Sequence, residues 1–344
     1  MSVVAQPVTA GVDTHGQTHH AAVVDPVGRH LDDAEFPASP AGYRRLLAWL
    51  KSAGNVHRVG VEGTGTYGAA LTRMLRQHGH EVVEVDRPDR KLRRSKGKSD
   101  PTDAYAAALA ALSGRANATP KARDGAVESI RALRVVRRSA VKARTQTINQ
   151  LRALLVTAPA ELREQLRPLN TAALILTCTR LRPGATMTDP ATATKQALRM
   201  LARRHQALSA EIREANEQLA GLVKATAPKL LDIVGVGVEV AGQLLVTPGD
   251  NPERLKSEAS FAHLCGVAPL PASSGRIDRH RLNRGGDRAA NNALYTIVLT
   301  RLRHHEPTRA YAQRRRAQGL SHKEIIRCLK RYVARELHKE LTGP

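Results

Sequence analysis

The sequence predicts an α/β domain followed by a longer, mainly helical region, and three observations predict it. The chain has 344 residues, too many for one ordinary hydrophobic core, so two domains with a connector are expected. Up to about residue 85, short apolar runs alternate with turn residues, the pattern of successive strands. From about Ala126 the apolar residues recur instead at helical spacing, among many arginines. The boundaries that follow are an α/β domain at 6–120, a helical coiled-coil connector at 121–226 and a mainly helical domain at 227–344.

Val8–Asp13 is short and apolar, and reads as a strand ending on Asp13. His20–Val24 is a second strand, and the turn Asp25-Pro26-Val27-Gly28 leads to a third near Arg29–Phe36. Ser39-Pro40 opens a helix through Ala53, with Leu46, Leu47 and Leu50 on one face. A strand at Arg58–Glu62, a helix at about Tyr67–Gln77 and a strand at Glu81–Val85 follow. Three sequential strands, then alternating helix and strand, is the order of a ribonuclease-H-like α/β domain.

The stretch Ser99-Asp100-Pro101-Thr102-Asp103 then stands at the mouth of an Ala-rich helix, Ala104–Leu112. Asp100 fits the N-cap, with Pro101 first in the helix and Asp103 at N3 facing the helix dipole. Ser99 fits the cap equally, and that alternative frees both aspartates. The fold order gives them partners. The strands ending on Asp13 and Glu62 are neighbours in such a sheet, and the helix beginning near Asp100 packs across the same edge. Asp13, Glu62, Asp100 and Asp103 can therefore converge. Four carboxylates suit two Mg²⁺ ions, and Lys96 and Lys98 lie in a basic approach with Arg90, Lys91, Arg93 and Arg94 that steers a polyanion toward them.

The formal charge of +23 and a pI near 10.8 make nucleic acid the expected partner. No secretory signal and no bilayer-length apolar run is visible, so no membrane is expected. Cys178, Cys265 and Cys328 lack zinc-ligand spacing and read as small apolar residues in a reducing cytoplasm. Aromatic residues make up 3% of the chain, which argues for phosphate and shape contacts over base stacking.

Val127, Ile130, Val141, Ile148, Leu151 and Leu155 stripe a helix rich in Arg131, Arg134, Arg137, Arg138 and Arg144, a candidate nucleic-acid-backbone face. Proline breaks Pro159–Pro190 into short helices and turns. Leu201, Leu208, Ala215 and Leu222, with His205, Ile212 and Leu219 between, form a heptad seam suited to the earlier helix or to a second subunit. Ile233-Val234-Gly235-Val236-Gly237 before an apolar helix resembles a helix-hairpin-helix phosphate-binding turn, or is a plain αα-turn. Further on, Ser273-Ser274-Gly275 precedes Arg276, Arg279, Arg281, Arg284 and Arg288. A serine among guanidinium groups is either an activated nucleophile or part of a phosphate-binding loop. Ala289–Arg303 and Ser321–Leu341 read as basic helices.

Asp13, Glu62 and Asp100-Pro-Thr-Asp103, with the distal Ser-Ser-Gly loop and Arg-Gly-Gly-Asp helix start, resemble the DEDD transposases of bacterial insertion sequences, the RNA-bridged recombinases of the insertion-sequence one-ten family. The resemblance runs from about Val8 to Leu341. It implies a RuvC-like N-terminal domain, a coiled-coil connector and a C-terminal transposase domain. It also implies Mg²⁺, a homo-oligomer (dimer or tetramer), donor and target DNA, and a structured noncoding guide RNA. Carried over by position, the acids are Asp13, Glu62, Asp100 and Asp103 and the nucleophile is Ser274, with Ser273 the alternative. The implied reaction is cleavage and rejoining through a covalent serine–DNA intermediate. The rivals are a RuvC-like nuclease using water, an architectural nucleic-acid-binding protein, and an actin-like sugar kinase. The kinase reading rests on the glycine-bearing stretches Gly11–Thr18 and Gly60–Thr66.

Overall fold

The computed structural model describes residues 6–86, 99–251, 254–273, 275 and 280–342. The chain divides into two compact units, Met1–Gly125 with Pro248–Lys256, and Ala126–Thr247 with Ser257–Pro344.

The first unit is built on β1 (Pro7–Thr14), β2 (Thr18–Val24), β3 (His30–Pro37), α1 (Pro40–Ala53), β4 (Asn55–Glu62), α2 (Ala69–Gln77), β5 (Glu81–Val85) and α3 (Asp100–Leu112). The five strands form a mixed sheet in the order β3-β2-β1-β4-β5. β2 pairs antiparallel with both β1 and β3, while β4 runs parallel to β1 and to β5. The central strand β1 is buried from Val8 onward because helices cover both faces of the sheet. On one face Val12, Val59 and Val61 pack with Leu46 and Leu50 of α1 and Leu71 and Leu75 of α2.

The other face is closed by α3, and glycine and alanine make that possible. A Cβ on Gly11 would stand 2.0 Å from the Ala108 nitrogen, and one on Gly60 would stand 2.6 Å from the Ala107 carbonyl oxygen. The helix backbone thus rests directly on β1 and β4, with Ala104, Ala107, Ala108 and Ala111 at the contact, all buried. A distant stretch of chain completes the unit. In Pro248–Lys256 the Asn251 side chain accepts from the Ala122 amide and donates to the Pro120 carbonyl, both at 3.0 Å. Arg254 Nε donates to the Thr119 carbonyl at 2.6 Å, and its guanidinium reaches Glu84 at 3.7 Å.

In the second unit α4 (Ala126–Val156) and α7 (Pro190–Thr226) run antiparallel. Arg137 near the start of α4 donates to Asn216 near the end of α7, while Leu151 and Leu155 share a core with Leu198 and Ala202. Between them α5 (Ala160–Leu166) and α6 (Thr171–Thr179) cap that core with Leu162, Leu166, Leu174, Ile175 and Cys178. The heptad seam is thereby assigned. Ile212, Ala215 and Leu219 are buried against α4 of the same chain, and Leu201, Leu208 and Leu222 are partly covered.

The basic reading of α4 needs one correction. Arg134 is buried, donating to Gln243 at 2.8 Å and Glu239 at 2.6 Å, so it ties α4 to α9 instead of facing a nucleic-acid backbone. Arg131 and Arg137 are likewise engaged, by Glu128 and by Asn216 with Glu239. The unit continues with α8 (Pro228–Leu231), α9 (Val238–Val246), α10 (Glu258–Leu264), the two-residue strands β6 (Leu270–Pro271) and β7 (His280–Arg281), α11 (Arg288–His304), α12 (Glu306–Ala317) and α13 (His322–Thr342). Of these, α11 and α13 are the expected basic helices, and α12 between them was not anticipated. No helix among the described residues is long and apolar enough to cross a membrane.

Candidate functional site

The start of α3 decides between the two capping alternatives. Ser99 has extended backbone (φ −153°, ψ 154°) and its Oγ accepts from the Thr102 amide, so Ser99 is the cap. Asp100 becomes the first helical residue and Asp103 follows one turn in, both at the positive end of the helix dipole. Asp103 is almost fully buried and Asp100 half-exposed.

Strand alternation aims Asp13 at the same place. Gly11 faces α3, so Asp13, two residues on, shares that face near the end of β1. Gly60 likewise faces α3, which puts Glu62 on the same side at the end of β4. The register Gly11↔Gly60 and Val12↔Val61 brings Glu62 beside Asp13, and Thr14 Oγ1 donates to the Glu62 carbonyl at 2.8 Å.

Beyond the strand end stands a residue that the sequence reading did not single out. His15 Nε2 lies 3.1 Å from Asp13 Oδ2 and 3.4 Å from Asp100 Oδ1. Asp13, His15 and Asp100 each offer a ligand atom within 4.8 Å of the other two, and Glu62 and Asp103 are outside that trio. The available signal was the spacing, since a residue two beyond Asp13 in an extended segment returns to the same side.

The electrostatics favour a cation here. Burial raises the Asp13 pKa; His15 opposes the rise, while the nearby charges of Asp103 and Asp100 add to it. A buried carboxylate whose carboxylate neighbours oppose its charge belongs to a donor set short of positive charge. Two carboxylates and an imidazole within reach of one another fit a divalent metal ion. Lys96 and Lys98 lie outside the described residues.

The distal loop is described in part. Ser273 is exposed, whereas Ser274, Arg276 and Arg279 lie outside the described residues. Arg281, Arg284 and Arg288 are exposed and line a cavity of about 1310 Å³ in the second unit. Asp287 of the Arg-Gly-Gly-Asp start caps α11, accepting from the Ala289 and Ala290 amides and from Thr247 Oγ1. The glycine-bearing turn lies between α8 and α9, with Gly235 at φ +90° and the Val234 carbonyl accepting from Arg301 Nε. Burial pushes the thiols of Cys178 and Cys265 up to about 11 and about 12, in keeping with their reading as small apolar residues.

Comparison with known proteins agrees with this arrangement at both ends of the chain. The DEDD transposase model of the IS110 group matches residues 10–158, and a model described as "Transposase IS116/IS110/IS902 family" matches residues 227–313. An insertion element IS110 uncharacterized 43.6 kDa protein of Streptomyces coelicolor is 32% identical over 117 residues, 33% of this chain and 29% of that protein. An insertion element IS900 uncharacterized 42 kDa protein of Mycobacterium paratuberculosis is 30% identical over 103 residues, 30% of this chain and 26% of its own length. Each match spans less than a third of the relative. A mixed sheet carrying a carboxylate cluster, followed by a helical region matched by the same group of models, defines a DEDD-type transposase-family protein. The chain belongs to the IS110/IS116/IS902 transposase family.

Proposed function

We propose that this protein is the transposase of an insertion sequence, cleaving and rejoining DNA strands through a serine–DNA ester at a Mg²⁺-dependent acidic site. The observation that carries the reading is the trio Asp13, His15 and Asp100, with Asp103 buried beside it and Glu62 on the neighbouring strand. The strand order β3-β2-β1-β4-β5 supports the ribonuclease-H-like, RuvC-like assignment of the first unit. Asp13, Glu62, Asp100 and Asp103 are the residues proposed to hold two Mg²⁺ ions. When bound, such ions supply Lewis acidity to a phosphodiester and neutralise the charge that develops on it.

The chain's own residues do the rest. Asp13 and Asp103 are fixed by the sheet and by α3, so their geometry is set before substrate arrives. Ser274 Oγ attacks the phosphorus as one P–O bond to a sugar breaks, and the proton lost by the hydroxyl is matched by one gained by the leaving sugar oxygen. The number of phosphate esters is unchanged, so the bond energy is kept for rejoining, which attack by water does not achieve. Arg276, Arg279, Arg281, Arg284 and Arg288, with Lys96 and Lys98, are proposed to hold nucleic-acid phosphates. The charge of +23 supports binding of nucleic acid, and the proposal takes donor and target DNA and a structured guide RNA as the partners of a homo-oligomer.

The experiment is cleavage of supercoiled DNA carrying the flanks of this protein's own gene, with the co-purifying RNA and Mg²⁺ present. Wild type is expected to cut, and chelation or Asp103→Asn to abolish cutting while binding persists. Undiminished cutting by Asp103→Asn would remove the acidic site from the reaction.

A further inference from the structure

Phosphate binding alone does not account for the lining of the cavity in the second unit. Its lining carries nine Lys and Arg side chains against two carboxylates, Asp287 and Glu324. Both carboxylates are committed elsewhere, Asp287 to the α11 cap and Glu324 to the amide and hydroxyl of Ser321. Arg331 and Arg335 pair with Glu258 behind the lining, and the seven remaining cations still leave the groove cationic to whatever enters it. Two of the chain's six tyrosines also meet there. Tyr311 of α12 and Tyr332 of α13 stand edge to face, centroids 5.4 Å apart and planes at 78°. Arg314 lies 5.4 Å from the Tyr311 centroid and Arg335 lies 5.9 Å from that of Tyr332. Tyr311 is half-buried, but Tyr332 is 51% exposed, so its ring is open to a ligand.

An intact duplex has no use for such a recess. It offers phosphates along its outside while its base faces are closed by stacking. An unpaired nucleotide offers an anionic phosphate and a free π-face together, the two features that guanidinium groups around a tyrosine recognise. The wall is built to stay in place. Lys330 Nζ donates to Asn291 Oδ1 at 2.8 Å, and Asn291 Nδ2 donates to the carbonyls of Cys265 and Gly266 at 2.9 and 3.1 Å.

We propose that this groove receives an unpaired nucleotide of a DNA or RNA strand, its base stacked on Tyr332 and its phosphates held by the surrounding arginines. The inference rests on the nucleic-acid function proposed above and adds the kind of nucleotide that one site takes.

The test uses the full-length protein and four 2-aminopurine oligonucleotides: a perfect duplex and the same duplex with the 2-aminopurine bulged, each as DNA and as RNA. Wild type should bind at least one bulged form about tenfold more tightly than its perfect duplex, with a change in 2-aminopurine emission. Tyr332→Leu should bring the two affinities within about twofold of each other while leaving duplex affinity unchanged, and Tyr332→Phe should keep the preference. Whether DNA, RNA or both show the preference identifies the strand. Equal binding of bulged and perfect forms by wild type, or a preference that survives Tyr332→Leu in a folded protein, would overturn the inference and leave the proposed function standing. Failure of wild type to bind any of the four at low salt would overturn both.

Discussion

Asp13 sits where burial and two neighbouring carboxylates all oppose its charge, and this has a consequence for stability. A carboxyl whose folded pKa is raised contributes stability that is present below its unfolded value and lost as pH rises through the folded value. At neutral pH, Asp13 therefore contributes less stability to the metal-free protein than it does at acidic pH. Asp13→Asn should raise the Tm of the chelated protein by a few degrees at pH 7, and the gain should shrink toward acidic pH. Mg²⁺ should raise the Tm of wild type and do much less for the variant. Thermal unfolding with and without chelator checks this, and a variant less stable than wild type under chelation would assign Asp13 a purely structural role. At this scale the placement of the acids on the fold was legible in the sequence, because strand ends and a helix start mark their positions directly. His15 was harder, since its site depends on where Asp100 arrives from far along the chain. Arg134 was misleading: its place among exposed-looking arginines gave no sign of Glu239 and Gln243, more than a hundred positions away.

Among the elements, α3 does most to shape the site, and its position depends on two missing side chains. A Cβ at Gly11 would meet the backbone of α3 at 2.0 Å, where no rotamer change relieves it. Gly11→Ala should cost about 3 kcal/mol or more and weaken metal binding, because α3 carries Asp100 and Asp103 away as it yields. Denaturant unfolding and metal titration together test this, and unchanged stability would mean that α3 does not press on the sheet as described. The paired helices α4 and α7 give a second test. Leu219 is buried against α4, so Leu219→Glu should lower helicity and Tm in the second unit. Dissociation of an oligomer with each protomer's stability intact would instead give that face to a partner. The alternating strands and the heptad spacing made these elements legible in the sequence. The segment Pro248–Lys256 was not, because Asn251 and Arg254 bind backbone groups around residue 120 that no local pattern advertises.

For the molecule as a whole, the balance of charge and the order of its motifs carry the account. A net charge of +23 in 344 residues implies a polyanionic partner, and the family assignment identifies DNA as the substrate to test. The low aromatic content pointed away from stacking, yet composition averages over the chain and hid the pairing of Tyr311 with Tyr332 across two helices. What separates a recombinase from a nuclease is the fate of the broken ester, and that is measured on a denaturing gel. End-labelled DNA incubated with the protein, its co-purifying RNA and Mg²⁺ should yield a strand covalently attached to protein. Ser274→Ala should abolish both the adduct and cleavage while binding is retained, and the Asp103→Asn variant should form no adduct. If Ser274→Ala still cuts the DNA and leaves free, protein-free ends, water is the nucleophile and the proposed mechanism is contradicted.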